Sequence, residues 1–205
     1  MDLATKASMH FLKRPLDVAL SLGLLLALLP LLSVLAILIV YDTPGPVFYC
    51  APRMGKNGRL FTMFKFRSMV LDAEHLQGRV AHSNQRSQVL FKIYGDPRIT
   101  RVGRWMRQYS LDELPQLWNV LRGDMSLVGP RPPLVSEVVH YSHTAWRRLT
   151  VPQGITGLWQ IHSRNHPSFR RYLRCDDFYI AHWCLALDLR ILLRTVGVVV
   201  RGTGV

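Results

Sequence analysis

The chain has 205 residues, of which 26 are lysine or arginine and 13 aspartate or glutamate, giving a formal net charge of +13 with 49% hydrophobic residues. This length suits one domain with appendages, and the charge points to an anionic partner: nucleic acid, anionic lipid or a phosphorylated substrate. So high an apolar content in so basic a chain favours a membrane surface over free nucleic-acid binding.

The three cysteines, Cys50, Cys175 and Cys184, have neither metal-ligand nor disulfide-framework spacing. A reducing cytosolic setting is the simplest reading. No HExxH pattern occurs among the eight histidines, which argues against a bound zinc. The sequence also holds no Walker loop and no GxGxxG.

Residues 1 to 14 are short, polar and basic, with Lys6, Lys13 and Arg14. Val18 to Tyr41 then runs 24 residues without a charge, with Asp17 just before it. The run is too long for a signal-peptide core and no small-residue cleavage site is evident. About 20 apolar residues are enough to span the hydrocarbon core. Pro30 stands midway, lacks an amide hydrogen and obstructs the Leu26 carbonyl. Broken there, each arm of roughly 12 to 14 residues measures about 20 Å. Half a bilayer core is about 15 Å, so each arm can reach the middle and return. Lys13 and Arg14 precede the run and Arg53, Lys56 and Arg59 follow it, so flanking charge gives no spanning direction. A kinked spanning helix and a re-entrant one are level on these grounds.

Asp42-Thr43-Pro44-Gly45-Pro46 is a turn cluster marking the exit from the membrane. Val47 to Tyr49 and Leu60 to Phe66 read as strands of a hairpin around Gly55-Lys56-Asn57-Gly58. Asn57-Gly58 favours a type I′ turn. Residues 70 to 92 are polar and uneven, a helix and a loop. Asp96-Pro97-Arg98 opens a basic helix through Arg101, Arg104 and Arg107, the last two on one face.

The densest chemistry lies in residues 107 to 133, RQYSLDELPQLWNVLRGDMSLVGPRPP. Asp112 and Glu113 are adjacent carboxylates, with Arg107 before them and Arg131 locked among prolines after them. Guanidinium groups hold phosphate oxygens, ideally bidentately. A carboxylate between them can act as nucleophile, base or metal ligand. The same residues also read as a capping box, with Ser110 at the N-cap and Glu113 at N3. A helical stripe of Leu111, Leu114, Leu117, Trp118 and Leu121 follows, with a stop at Gly123. Pro115 would then lose a backbone hydrogen bond in the first turns, which argues for an irregular start or a later one. A cap and a phosphate site are compatible at one helix N-terminus.

Met125 to Val128 reads as a short strand, and the stiff Pro130-Arg131-Pro132-Pro133 presets one guanidinium at low entropy cost. Pro133 to Trp146 reads as helix and Val151 to Gly157 as a turn-rich loop. Phe178 to Arg201 reads as a helix with Arg190 and Arg194 on one face, either amphipathic and lying on the membrane with Tyr179 and Trp183 at the headgroup boundary, or an ordinary core helix.

SLDELPQLWNVLRGDMSLVGPRP closely resembles the core of the bacterial sugar transferases, the monotopic polyprenyl-phosphate sugar-1-phosphate transferases. Similar blocks stand at KRPLDVALSLGLLL (13–26), GPVFY (45–49), RMGKNGRLFTMFKFRSM (53–69), DPRITRVGRWMR (96–107), GITGLWQ (154–160) and DFYIAHWCLALDLRIL (177–192). The resemblance covers nearly the whole chain in the right order. It implies an α+β fold: a small, mostly helical cytoplasmic catalytic domain with a β-hairpin over 45–205. Before it, over 1–44, come a basic segment and a proline-broken re-entrant membrane helix. Interfacial amphipathic helices complete the fold.

The resemblance further implies an enzyme of the bacterial inner membrane, facing the cytoplasm, that moves a sugar-1-phosphate from a UDP-sugar to undecaprenyl phosphate. Asp112 matches the family's nucleophile and would carry the sugar-phosphate as an aspartyl intermediate. Asp112 or Glu113 would ligate Mg²⁺. Lys65 of the KFRSM block, Arg107, Arg131 and Arg164 match phosphate or nucleotide ligands. The partners implied are the UDP-sugar, undecaprenyl phosphate and membrane lipid, not nucleic acid, and a homodimer is compatible with all of this. Four positions depart from the pattern. Leu29 replaces a serine before the proline, Ala51 the glutamine of Q-x-R, Pro152-Gln153 an Arg-Pro, and Ser163 a glycine. The competing reading is a membrane-anchored basic module that binds nucleic acid or anionic lipid without catalysis. It predicts steep salt dependence and indifference to Asp112→Asn. A relative that has lost activity and acts as a scaffold is a third reading.

Overall fold

A 40-residue helix, α1 (Leu3–Asp42), leads the chain. The structure is a computed structural model that describes residues 3–76, 78, 93, 95–162, 168–202 and 204, without the side chains of 3–11. Pro15 and Pro30 lie inside α1 and the helix continues through both. The expected interruption at Pro30 is therefore no gap in the helix, because one missing amide removes one hydrogen bond and leaves the neighbouring turns intact. Ser33 Oγ donates to the Leu29 carbonyl at 3.0 Å, a back-bond of the kind that bends helices. A hydroxyl thus stands after the proline, where the sequence lacks one before it.

The stretch Leu12–Asp42 is long and apolar enough to cross a membrane. One stripe, Lys13, Asp17, Ser21, Leu35 and Ile39, is buried against the rest of the molecule. Leu22, Leu24, Leu26, Leu29, Val34 and Ile37 face outward, a contiguous apolar surface that water does not favour. Both ends of α1 are fastened to the same domain. At the front, Lys13 Nζ meets Asp188 Oδ2 at 2.6 Å, Arg14 Nη2 donates to the Leu121 carbonyl at 2.8 Å, and Asp17 Oδ1 accepts from the Leu127 amide at 3.3 Å. At the back, Asp42 Oδ2 accepts from the Val102 amide at 3.0 Å, while Leu35 and Ile39 join Phe66 and Met106 in a core cluster.

Strands β1 (Phe48–Met54) and β2 (Leu60–Phe66) form an antiparallel hairpin in which Ala51 pairs with Met63. Asn57 and Gly58 both take positive φ, 56° and 77°, and the Arg59 amide donates to the Lys56 carbonyl at 3.2 Å. This is the type I′ geometry that Asn-Gly favours. The first strand runs longer than expected because its far end pairs onward. The Met54 amide donates to the Pro133 carbonyl at 3.1 Å and Arg53 bridges Leu134.

Helix α2 (Arg101–Gln108) is capped by Thr100, whose side chain accepts from the Gly103 amide. A Cβ on Gly103 would lie 2.1 Å from the Ser68 carbonyl oxygen, so only glycine lets α2 sit against the end of the hairpin. Helix α3 (Gln116–Arg122) ends at Gly123 in the left-handed region, the expected stop. The fully buried Asn119 ties α3 to β2, accepting from the Phe64 amide at 3.0 Å and donating to the Thr62 carbonyl at 2.7 Å.

The short strand β3 (Ser126–Val128) falls where expected, but its partner lies in the stretch expected to be loop. Strand β4 (Gly154–Thr156) pairs with it in parallel, Ser126 opposite Gly154 and Val128 opposite Thr156. A Cβ on Gly154 would meet the Gly129 nitrogen at 2.1 Å, and a three-residue strand with no alternation carries no periodic signal.

The single helix expected over 133–146 is two one-turn helices, α4 (Val135–Val138) and α5 (His143–Trp146). Ser142 divides them by accepting from the Ala145 amide at 3.3 Å, a local bond that competes with helix continuation. Helix α6 (Leu158–His162) follows β4, and α7 (Phe169–His182) and α8 (Leu185–Val200) close the fold. The expected unbroken helix over 178–201 is thus interrupted at Trp183 and Cys184, both extended in ψ. Tyr179 and Trp183 are buried, not at a boundary, since Asp188 draws both inward: Tyr179 OH donates to its Oδ1 at 2.8 Å and Trp183 Nε1 to its Oδ2 at 3.1 Å. The main core gathers Met63, Leu117, Val120, Leu127, Val128, Tyr179, Trp183 and Ile191.

Candidate active site

Ser110 sits in the left-handed region at φ 56° and ψ 23°, and its side chain makes no cap hydrogen bond. The capping box is therefore corrected. A short 3-10 turn, Leu111–Glu113, comes first, and α3 starts only at Gln116 with Pro115 as its N-cap. Pro115 explains the change, since it has no amide for a regular first turn to use. A serine at positive φ is uncommon and is sustained by its surroundings. Its consequence is a turn that buries Asp112, which is 6% exposed, and sends Glu113 across to β2. There Glu113 Oε1 takes Lys65 Nζ at 2.6 Å. Lys65 and Glu113 are 48 residues apart in sequence and meet because Asn119 fixes α3 on the hairpin.

Five of the six residues proposed from the sequence come together. Lys65, Arg107, Asp112, Glu113 and Arg131 line one cavity of about 270 Å³. Arg164 falls outside the described residues. Arg107 is aimed by its Nε, which donates to Ser68 Oγ at 2.8 Å, while Arg104, its neighbour on the helix, is exposed. Arg131 lies with its guanidinium carbon 5.9 Å from the centre of the Trp159 ring.

The loop that carries Arg131 rests on a buried strut absent from the sequence reading. Arg148 Nη2 donates to the Arg131 carbonyl at 3.1 Å and pairs with Asp176 Oδ2 at 3.0 Å. Burial pushes the Asp176 carboxyl up to about 6, against the pull of Arg148. Gln153, fully buried, holds the Arg148 carbonyl at 2.9 Å. It stands at the proline of the Arg-Pro that the resemblance expects, with Pro152 in place of the arginine, and its amide supports the strut.

A second missed pair, Asp96 and Arg98, lines the same cavity. Arg98 Nη2 lies 2.6 Å from Asp96 Oδ2, and its Nη1 donates to the Ala73 carbonyl at 3.0 Å. These bonds from Arg98 hold the Asp96 carboxyl below the usual carboxylate range. Glu113 thus offsets Lys65, and Asp96 offsets Arg98. Among the charged groups that line this cavity Arg107 and Arg131 then face Asp112, with Glu137 outside it also drawing on Arg131, and the wall carries an excess of positive charge suited to a phosphate. Gln116, Trp159 and Gln160 complete that cavity with amide and indole groups.

Among the described residues no three His, Cys, Asp or Glu side chains converge on one point. A cation beside Asp112 and Glu113 would draw its remaining ligands from a bound phosphate and water. That is the habit of Mg²⁺, which takes one or two carboxylates and keeps the rest of its shell from substrate and solvent, so the donor set fits.

The model of the family described as bacterial sugar transferase matches residues 8–202. The chain belongs to this family. It is 40% identical over 203 residues to the undecaprenyl-phosphate galactose phosphotransferase of Salmonella typhimurium, covering 97% of the chain and 42% of that protein. It is 48% identical over 161 residues to the galactosyl transferase CpsE of Streptococcus agalactiae, covering 78% of the chain and 36% of the relative. The exopolysaccharide production protein ExoY of Sinorhizobium fredii is 38% identical over 196 residues, with 94% and 87% covered. The first two relatives are thus more than twice the length that the chain spans, whereas the match to ExoY takes in most of both proteins.

Proposed function

We propose that this protein transfers a sugar-1-phosphate from a UDP-sugar to undecaprenyl phosphate, as the first membrane step of a bacterial glycan. The observation that carries the reading is Asp112, a buried carboxylate on a cavity wall where Arg107 and Arg131 leave positive charge in excess. Relatives of this family are named for undecaprenyl-phosphate galactose and glucose phosphotransfer, so those two sugars are the first donors to test.

In the first half-reaction an Asp112 oxygen attacks the sugar-bearing phosphorus. The bond from that phosphorus to the bridging oxygen breaks, and UMP leaves with the electron pair. In the second, an oxygen of undecaprenyl phosphate attacks the same phosphorus, the bond to Asp112 breaks, and the carboxylate is restored. Arg107, Arg131 and Lys65 hold the non-bridging oxygens and stabilise the charge that develops. Asp112 and Glu113 would hold Mg²⁺, which would supply further neutralisation of the diphosphate charge. Lys65 also restrains Glu113 through their 2.6 Å pair.

The attachments of α1 support a membrane arrangement. Residues 1–44 form the basic segment and membrane helix, and 45–205 the catalytic domain on the cytoplasmic side of the inner membrane. Lys13, Arg14 and Asp17 at one end and Asp42 at the other are bonded to one domain. A crossing helix would carry one end to the far side of the bilayer, so a re-entrant course accounts for both attachments. The apolar outer face of α1 then lies in lipid, and the site sits where a soluble and a lipid-borne substrate meet. A module that only binds anionic lipid or nucleic acid leaves the paired and unpaired charges around Asp112 without a purpose.

The test is UMP release by the detergent-purified protein with Mg²⁺, UDP-galactose, UDP-glucose and further UDP-sugars, and undecaprenyl phosphate. The expected outcome is lipid-dependent release from one donor, abolished in Asp112→Asn. Release unchanged by the substitution would remove Asp112 as nucleophile. No release across the panel from folded protein would remove the reading.

A further inference from the structure

A second cavity, of about 370 Å³, adjoins the first. Lys65, Met69, Arg98, Arg107, Asp112 and Arg131 line both. The second adds the charged Arg53, Arg67, Glu74 and Glu137 and, further out, Pro46, Phe48, Tyr49 and Leu71. Phe48 and Leu71 are 52% and 59% exposed, so the outer part is an apolar mouth. It opens beside the end of the membrane helix, where Arg67 holds the carbonyls of Thr43 and Pro44.

Arg53 has an unusual setting. It is 8% exposed, and its Nε has no hydrogen-bond partner among the described residues. It makes no ion pair within 4.0 Å among them either. Burial first, and then the neighbouring Arg131, push it down to about 10, so it stays a cation at neutral pH. Glu137 is the nearby acid; its Oε2 accepts from the Leu134 amide at 3.0 Å, and its charge acts on Arg53 from beyond ion-pair distance. Two guanidinium groups held close in a buried place call for an anion, since a buried charge without a partner is costly. The backbone enforces the closeness: β1 is zipped to the segment after Arg131 by the Met54–Pro133 hydrogen bond and the Arg53–Leu134 bridge.

The stereochemistry of the proposed reaction, on which this inference rests, limits what that anion can be. In an in-line displacement the attacking and leaving oxygens lie on opposite sides of the phosphorus. Asp112 attacks opposite the UMP phosphate, and is later displaced from the side opposite itself. The incoming phosphate therefore arrives where the UMP phosphate departed, on the shared wall. One phosphate position then needs two exits. The cavity with Gln116, Gln160 and Trp159 offers hydrogen-bonding and stacking groups for a nucleoside. The one with Phe48 and Leu71 offers apolar contact for a lipid tail.

We propose that Arg53 and the apolar mouth beyond it form an acceptor subsite that takes a lipid-linked phosphomonoester in the second half-reaction. Arg53 reaches the phosphate from the lipid side, and the chain of the acceptor leaves past Phe48 and Leu71 toward the membrane.

The experiment separates the two half-reactions. Single-turnover UMP release without lipid reads the first, and transfer to undecaprenyl phosphate at varied lipid concentration reads the second. Arg53→Met is expected to raise the KM for the lipid about 10-fold or more, with a far smaller change in the lipid-free UMP burst. Leu71→Glu, an exposed position that tolerates charge in the fold, is expected to shift the lipid KM in the same direction. Equal losses in both half-reactions for Arg53→Met would place Arg53 on the donor phosphate and overturn the subsite, as would no change in either. Should Arg53→Met fail to fold, an unchanged lipid KM in Leu71→Glu overturns it. Should wild type release no UMP, the reaction itself is wrong. Binding of farnesyl phosphate to wild type and Arg53→Met then decides the subsite, and equal affinity would sink it.

Discussion

Two groups of buried carboxylates and cations in this protein have similar members and opposite character. In the first, Asp188 receives Lys13 at 2.6 Å, Tyr179 at 2.8 Å and Trp183 at 3.1 Å, and Asp17 stands 3.9 Å from Lys13. Each oxygen of Asp188 is engaged, the neighbours are core residues, and the cluster joins α1 to α7 and α8. In the second, Lys65–Glu113 and Asp96–Arg98 are paired, yet Arg107, Arg131 and Arg53, which make no ion pair within 4.0 Å among the described residues, stand around Asp112 at two adjoining cavities, and Glu137 acts on Arg53 and Arg131 from further off. Buried charge that is satisfied from within holds elements together. Buried charge left in excess at a cavity wall awaits a ligand.

Substitution can break this contrast, and the largest effect is expected at Asp112. Asp112→Asn should lower UMP release on the order of 10⁴-fold or more, while the midpoint of chemical unfolding in detergent stays near wild type. Asp188→Ala should do the reverse. It strands Lys13, Tyr179 and Trp183, and breaking a buried pair costs about 3–5 kcal/mol. The unfolding midpoint should fall sharply, with kcat per folded molecule largely retained. If instead kcat collapsed in a well-folded Asp188→Ala protein, the distinction between the two clusters would fail.

Arg107→Ala and Arg131→Ala should each cost roughly 10²–10³-fold in kcat, the scale of a lost transition-state donor. Arg131→Lys should recover only part of it, because an ammonium cannot hold two oxygens in one plane. Steady-state kinetics against the donor checks both.

The smallest effect concerns the strut behind Arg131. The Asp176 carboxyl titrates at about 6 in the fold, above its ordinary value of 3.8. The folded state therefore binds this proton more tightly, and the stabilisation it gives is full below 3.8 and lost as the pH rises through 6. Asp176→Asn should flatten the fall in stability between pH 4 and 6, read as urea midpoints across that window. An unchanged slope would show that Arg148 keeps the carboxylate charged throughout.

Features fixed by neighbouring residues were legible in the sequence. Asn57-Gly58 specified a type I′ turn, Gly123 the end of a helix, and the uncharged run from Val18 the apolar helix. Pro115 signalled that the helix after Asp112 would begin late, though not that Ser110 would turn left-handed. The adjacent carboxylates and the proline-locked arginine suggest phosphate chemistry by residue type alone, and the fold brings them to one cavity. Arg53 lay within a block that resembles the family, and nothing local distinguished it from its basic neighbours.

What tertiary structure decided is the set of partnerships between distant residues. Lys13 meets Asp188 across 175 positions, and Arg14 meets the end of α3 across 107. Such pairings leave no periodic trace, because each partner sits in a local pattern that is complete without the other. The same holds for β4, whose three residues become a strand only when Gly129 and Gly154 let two backbones approach. Local propensity chose the elements and their chemistry. Packing chose which of the 26 basic side chains were neutralised and which were left facing Asp112.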